Sequence, residues 1–157
     1  MSNDTAMSDN TADREIVTSR VFDAPRDVVF QAFTDPKHID HWYGPRGFKT
    51  KTLGMDVRPG GAWNYVMHHE QYGSFKNRVR YREVARPSRL TYTHDSGVDG
   101  DPAAFEVTVT FEEVSGKTKV TMHAVFPTAA ELARVKGFGA VEGGKQTLQR
   151  LAEWLAA

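Results

Sequence analysis

At 157 residues, with 39% of them hydrophobic, the chain has the length and apolar content of one domain around a single core. The 20 Lys plus Arg equal the 20 Asp plus Glu, so no net field draws it toward phosphate backbones or anionic lipid, and neither nucleic acid nor a membrane is expected as a partner. The absence of cysteine excludes a disulfide scaffold, a thiol nucleophile and any cysteine-ligated metal.

The opening MSNDTAMSDNTAD is polar, without a cationic start or an apolar run, and reads as neither signal peptide nor anchor. Residues 1–13 are expected to be a disordered tail before a domain over 14–157, and the expected location is cytoplasmic. Glu15 to Phe22 is rich in β-branched residues and predicts a strand. Asp23-Ala24-Pro25 then opens a helix reaching about Thr34, with Val29, Phe30 and Phe33 at helical spacing. Asp35-Pro36 repeats the start signal for a short helix to about Trp42, which Gly44-Pro45 stops.

From Phe48 to Phe126 the period changes to two, and the Gly, Pro and Ser breaks leave room for six strands. Trp63, Tyr65 and Met67 share one face; Phe75, Val79 and Tyr81 alternate with Lys76, Arg78, Arg80 and Arg82. Leu90, Tyr92, Phe105, Val107, Val109, Phe111, Val120 and Met122 continue the apolar face. One apolar and one wet face describe an antiparallel sheet covered on one side. The cover is the C-terminal segment: Pro127-Thr128 opens a helical pattern in which Val141, Leu148, Leu151 and Leu155 recur. Glycines at 137, 139, 143 and 144 predict a bend or break near Gly137 to Gly139, with a straight helix only after Gly144.

Strand, two short helices, six strands and a long helix is the order of an α+β helix-grip fold, a curved antiparallel sheet of about seven strands around the last helix. The segments RVFDAPRDVVFQAFTDPKHIDHWYGP (20–45), MDVRPGGAWNYVM (55–67), VRYREVARPSRLTYTH (79–94) and GGKQTLQRLAEWL (143–155) carry a closer likeness. On these the chain resembles the START-like SRPBCC superfamily, in particular its group of homologues of the activator of heat-shock-protein ATPase. The resemblance implies an apolar cavity between sheet and last helix for a small apolar, aromatic or lipid-like molecule. Some members act as cyclases, some as carriers or sensors, and some as co-chaperone modules. Members often carry a bulky Trp or Met where this chain has Gly144, so a wider cavity is expected there, with room to restore bulk and gain stability.

The expected ligand-binding set is Trp42, Trp63, Tyr65, Met67, Phe75, Tyr81, Tyr92, His94, Phe105, Met122, Val141 and Gly144, although inward aromatics also simply fill cores. The hydroxyls of Tyr65, Tyr81 and Tyr92 need partners if buried. His94 is the titratable group on the inward register. It is either a base toward a phenol or enol of a ligand or a histidine held by a hydrogen bond at a strand end. His68 and His69 are adjacent and point to opposite faces, and His38 and His41 read as part of a wet helix face, so no metal site is expected. The basic row Lys76, Arg78, Arg80 and Arg82 offers a docking face for an acidic protein partner, or else pairs with Glu106 and Glu112 on neighbouring strands. The reading is a cofactor-free, non-enzymatic binder of a small apolar molecule. Its rivals are a cyclase- or hydrolase-like enzyme using His94 with the tyrosines, and a co-chaperone module; the oligomeric state stays open.

Overall fold

A computed structural model describes residues 11–157. Most of the expected tail, residues 1–10, lies outside the described residues. A 3-10 turn at Ala12–Arg14 precedes β1 (Glu15–Phe22). Arg14 fixes this end by donating from its guanidinium to the Phe126 carbonyl at 2.7 Å, while its own carbonyl accepts from the Phe126 amide at 2.8 Å.

Two helices follow, α1 (Arg26–Thr34) and α2 (Pro36–Trp42). Asp35 caps α2 by accepting from the Lys37 amide at 2.9 Å, which satisfies one of the amides a helix start leaves open. Six strands come next: β2 (Phe48–Met55), β3 (Ala62–His69), β4 (Gly73–Ala85), β5 (Arg89–Asp95), β6 (Phe105–Val114) and β7 (Lys117–Val125). All seven form one sheet in the order β1-β7-β6-β5-β4-β3-β2, every neighbouring pair antiparallel. Register shifts at Thr52/Gly54 and Tyr81/Glu83 add local twist, which helps the sheet curl. The β2–β3 turn requires glycine at 61, because a Cβ there would sit 2.1 Å from the Asp56 carbonyl oxygen.

The expected break in the C-terminal helix is present. α3 (Ala129–Gly137), capped by Thr128, ends at Phe138, and Gly139 takes a left-handed φ of 82° before α4 (Ala140–Ala156). The helix then runs unbroken through Gly143 and Gly144, so the expectation of a straight helix only beyond Gly144 is corrected: both glycines are helical.

The concave face of the sheet is divided across nearly every strand. At one end α1 and α2 press into it. Phe30 and Phe33 meet Phe111 with ring centroids 5.1 and 5.2 Å apart, and the Trp42 indole donates to the Ala32 carbonyl at 3.0 Å. With Phe22, Val109, Val120 and Leu151 these side chains form a dry core. At the other end α4 crosses the sheet without filling the space beneath it.

Candidate functional site

That space is a cavity of about 380 Å³. Each strand contributes the end that lies away from α1: Ile16 and Thr18 from β1, Met122 and Ala124 from β7, Phe105 and Val107 from β6, Tyr92 and His94 from β5, Asn77 from β4, Tyr65 and Met67 from β3, and Phe48 from β2. Tyr43, Gly44 and Pro45 close one side from the α2–β2 loop, and Phe138 to Ala140 with Gly143, Gly144 and Thr147 close the other. Phe138, 81% exposed at the α3–α4 junction, stands at the rim.

The loop that carries Tyr43 is held from α4. The Arg150 guanidinium donates to the Gly44 carbonyl at 2.8 Å and lies within reach of those of Phe48, Pro45 and Tyr43 at 3.2, 3.3 and 3.4 Å. Thr50 adds a bond from its hydroxyl to the Tyr43 carbonyl at 2.8 Å. One cation thus gathers several carbonyls of the α2–β2 connection, a charge-assisted arrangement suited to the forked geometry of arginine.

The polar groups of the cavity converge. His94 Nε2 and the Tyr65 hydroxyl are 2.8 Å apart, and the side chains of Tyr43 and Tyr92 line the same space. Burial pushes the Tyr65 and Tyr92 phenols well above their ordinary value. It also raises that of Tyr43, although the neighbouring hydroxyls of Tyr65 and Tyr92 offset part of the rise. Burial lowers His94 to about 4 against the weaker pull of Asp95 and Asp101, so the imidazole is neutral at pH 7. Tyr43 stacks edge-on against Tyr65 and Trp63, and His94 lies 4.8 Å from the Phe105 ring, which stacks on Phe126.

Of the residues expected from the sequence, Tyr65, Met67, Tyr92, His94, Phe105, Met122 and Gly144 line this cavity. The other five do not. Trp42 is fully buried in the dry core; Trp63 and Tyr81 are 3% exposed and pack beside it, with the Trp63 indole donating to the Thr52 hydroxyl at 3.0 Å. Phe75 has the inward register but sits where β4 passes beyond the helix cover, 46% exposed. Val141 turns outward on α4. The open space expected around Gly144 is also corrected, because a Cβ there would meet the Thr18 hydroxyl at 3.2 Å. The glycine lets α4 close on β1.

Sequence reasoning missed Tyr43, Thr18, Phe48 and Asn77. Thr18 shares the inward register of Phe22, and Asn77 that of Phe75 and Val79, so both were available from alternation alone. Tyr43 gave no signal beyond its place before a helix stop. His41 is exposed and His38 half-buried, as a wet helix face implies, and both also touch α4: the His41 ring stacks on Trp154 at 4.4 Å, and the Trp154 indole donates to His38 Nδ1 at 3.2 Å. On the convex face Arg78 pairs with Asp95 at 2.9 Å and Asp99 at 3.0 Å, Arg80 with Asp95 at 3.0 Å, and Arg82 with Glu106 at 2.6 Å.

A curled antiparallel sheet gripping a C-terminal helix over an apolar cavity defines a helix-grip domain of the START-like type. By the match of its residues 23–156 to the family described as "Activator of Hsp90 ATPase homolog 1-like protein", the chain belongs to that family. Solved structures agree on the fold. Protein Ms6760 from Mycobacterium smegmatis is 21% identical, with 93% of each chain covered and a TM-score of 0.83. Protein CV1439 from Chromobacterium violaceum is 26% identical over 88% of this chain and 95% of its own, with a TM-score of 0.76. The AHSA1 protein from Silicibacter pomeroyi is 22% identical over 90% and 97%, with a TM-score of 0.73. No curated protein matches the chain. Family membership supports a ligand-binding or co-chaperone-type module in general terms. Among the described residues, no helix is long and apolar enough to cross a membrane.

Proposed function

We propose that the chain is a cytoplasmic, cofactor-free, non-enzymatic carrier or sensor that binds a small apolar or aromatic molecule between the sheet and α4. The observation that carries this reading is the cavity of about 380 Å³, apolar in most of its lining and furnished with a few convergent polar groups. Small-molecule sites have that make-up, and that volume falls within their usual range. A packed core would not leave such a space, since interiors are filled to the density of organic crystals.

The test is a titration with the uncharged fluorophore N-phenyl-1-naphthylamine, against wild type and against Ala124→Phe, which puts a ring into the cavity from β7. Saturable binding that weakens at least tenfold in a folded Ala124→Phe protein is the expected result. Absence of saturable binding, or binding indifferent to the ring, overturns the proposal. Native mass spectrometry of freshly purified protein supplies a second readout through any retained small molecule.

The Tyr65–His94 contact at 2.8 Å favours one second reading, an enzyme of cyclase or hydrolase type in which His94 takes a proton from a bound phenol or enol. His94→Gln separates the two, because binding survives it in a carrier and turnover collapses in an enzyme. The basic row gives a co-chaperone reading less support. Arg78, Arg80 and Arg82 are already engaged by Asp95, Asp99 and Glu106, which leaves little free positive charge for an acidic partner.

A further inference from the structure

The sheet ends in two edge strands, β2 and β1, and the two are guarded very differently. On β2 the backbone groups that face away from β3 are engaged from within the chain: the Thr52 amide donates to the Asp40 carboxylate at 3.1 Å, and the Phe48 carbonyl accepts from Arg150 at 3.2 Å. Exposed Lys49 and Lys51 and the register shift at Thr52/Gly54 add the devices by which natural edges discourage pairing with another chain.

β1 follows β7 over all 8 of its residues without a register shift and carries neither lysine nor proline. The bond from the Phe126 amide to the Arg14 carbonyl sets the phase of that ladder, so Ile16, Thr18, Arg20 and Phe22 exchange bonds with β7. Val17, Ser19 and Val21 therefore point amide and carbonyl to the open side of the sheet, where they have no partner among the described residues. Their side chains stand on the convex face, Val17 59% and Val21 49% exposed with Ser19 exposed between them. Arg20, the charge nearest the middle of the strand, turns instead to the concave side and donates to Gln149 of α4 at 2.6 Å.

The spacing of these three residues is symmetric about Ser19, and that symmetry selects the partner. An antiparallel pairing of β1 with a second copy of itself, centred on Ser19, sets each Val17 opposite a Val21 and each Ser19 opposite its twin. About six backbone hydrogen bonds close the ladder, and two apolar cross-strand pairs cover the four valines. A two-fold interface requires just this self-complementarity, in which one patch serves both sides. We propose that the chain associates into a two-fold dimer through β1–β1 pairing centred on Ser19, which joins two seven-stranded sheets into one. The inference is independent of what the cavity holds.

Sedimentation equilibrium of the full chain from about 2 to 200 µM tests it. A single strand pair is a small interface, so a monomer–dimer equilibrium in the micromolar range is expected. Ser19→Pro removes the central outward amide and spares the ladder to β7, since an edge strand tolerates proline where its N–H faces solvent. Val17→Lys places a charge against the valine opposite. Each should weaken association at least tenfold, and a thermal melt of each shows that it is folded. The register is read by oxidative cross-linking, which the absence of native cysteine makes clean. Ser19→Cys should link to itself at least tenfold faster than Val17→Cys, whose two copies stand about 13 Å apart along the strands, too far for a disulfide. An equimolar mixture of Val17→Cys and Val21→Cys should link the one to the other. A chain that stays monomeric at 200 µM, a dimer indifferent to both Ser19→Pro and Val17→Lys, or Val17→Cys linking to itself as fast as Ser19→Cys overturns the inference. Dimers that appear only after removal of residues 1–10 also overturn it, and assign the edge to the chain's own first residues.

Discussion

Replacing His94 by Gln should change how stability responds to acid. In the unfolded chain the imidazole titrates at its ordinary 6.5, whereas burial holds it at about 4 in the folded protein. Between those values the unfolded state binds a proton that the folded state refuses, so folding weakens as pH falls through the window. Above 6.5 both states are neutral and the penalty is absent; below 4 both are charged and it stops growing. A gap of about 2.5 pH units, at about 1.4 kcal/mol each, amounts to roughly 3.5 kcal/mol in full, of which roughly 3 kcal/mol has accrued by pH 4. Glutamine keeps a hydrogen-bonding partner for Tyr65 and has no proton to gain. Urea unfolding of wild type and His94→Gln at intervals from pH 7.5 to 4 measures the difference directly, because the carboxylates common to both proteins cancel. Wild type should lose roughly 3 kcal/mol more than the variant across the window. Parallel curves for the two proteins would refute the burial of a neutral imidazole.

Six further substitutions probe the frame of the site and the sheet that carries it. Gly143→Ala should stabilise by about 1 kcal/mol, since its new Cβ meets the Pro45 ring at an ordinary 3.6 Å, whereas Gly144→Ala should gain little because its Cβ stands 3.2 Å from the Thr18 hydroxyl. Gly144→Trp should lose about 1–3 kcal/mol by overfilling, and paired thermal melts rank all three. Arg150→Met should cost about 2 kcal/mol and weaken probe binding by loosening the Tyr43 loop. Arg46→Ala, which breaks an exposed pair with Glu153, should change unfolding free energy by less than about 1 kcal/mol. Burial alone would raise the Asp95 carboxyl, yet the Arg78 guanidinium, the Gly97 amide and Arg80 outweigh it and hold the group below its ordinary value. Asp95→Asn should therefore cost about 3 kcal/mol in chemical denaturation.

The strands, the helices and the glycine break were legible because each rests on local periodicity and punctuation, which β3, α1 and Gly139 express without help from the rest of the chain. The inward face was legible too, but not its division. Trp63 and Tyr65 are two residues apart on one face of one strand, yet one belongs to the dry core and the other to the cavity. What separates them is where α1, α2 and α4 lie over the sheet, and that is a long-range fact which alternation cannot encode. Tyr43, His38 and Arg150 escaped for a related reason: each acts across about a hundred residues of chain, through loop carbonyls or a partner ring. Gly144 was misread because a missing side chain looks like empty space in a sequence, while here a neighbouring helix and strand have moved together to occupy it.

Tyr43 has its carbonyl gripped by Thr50 and Arg150 and its ring packed edge-on against Trp63 and Tyr65. This wall of the cavity is therefore positioned by the same contacts that fold the loop, before any guest arrives. Ordering of the receptor is complete at that stage, and an incoming molecule surrenders mainly its own freedom of tumbling. Such a receptor should report occupancy through stability and proton exchange of the α2–β2 loop, with little movement of the sheet.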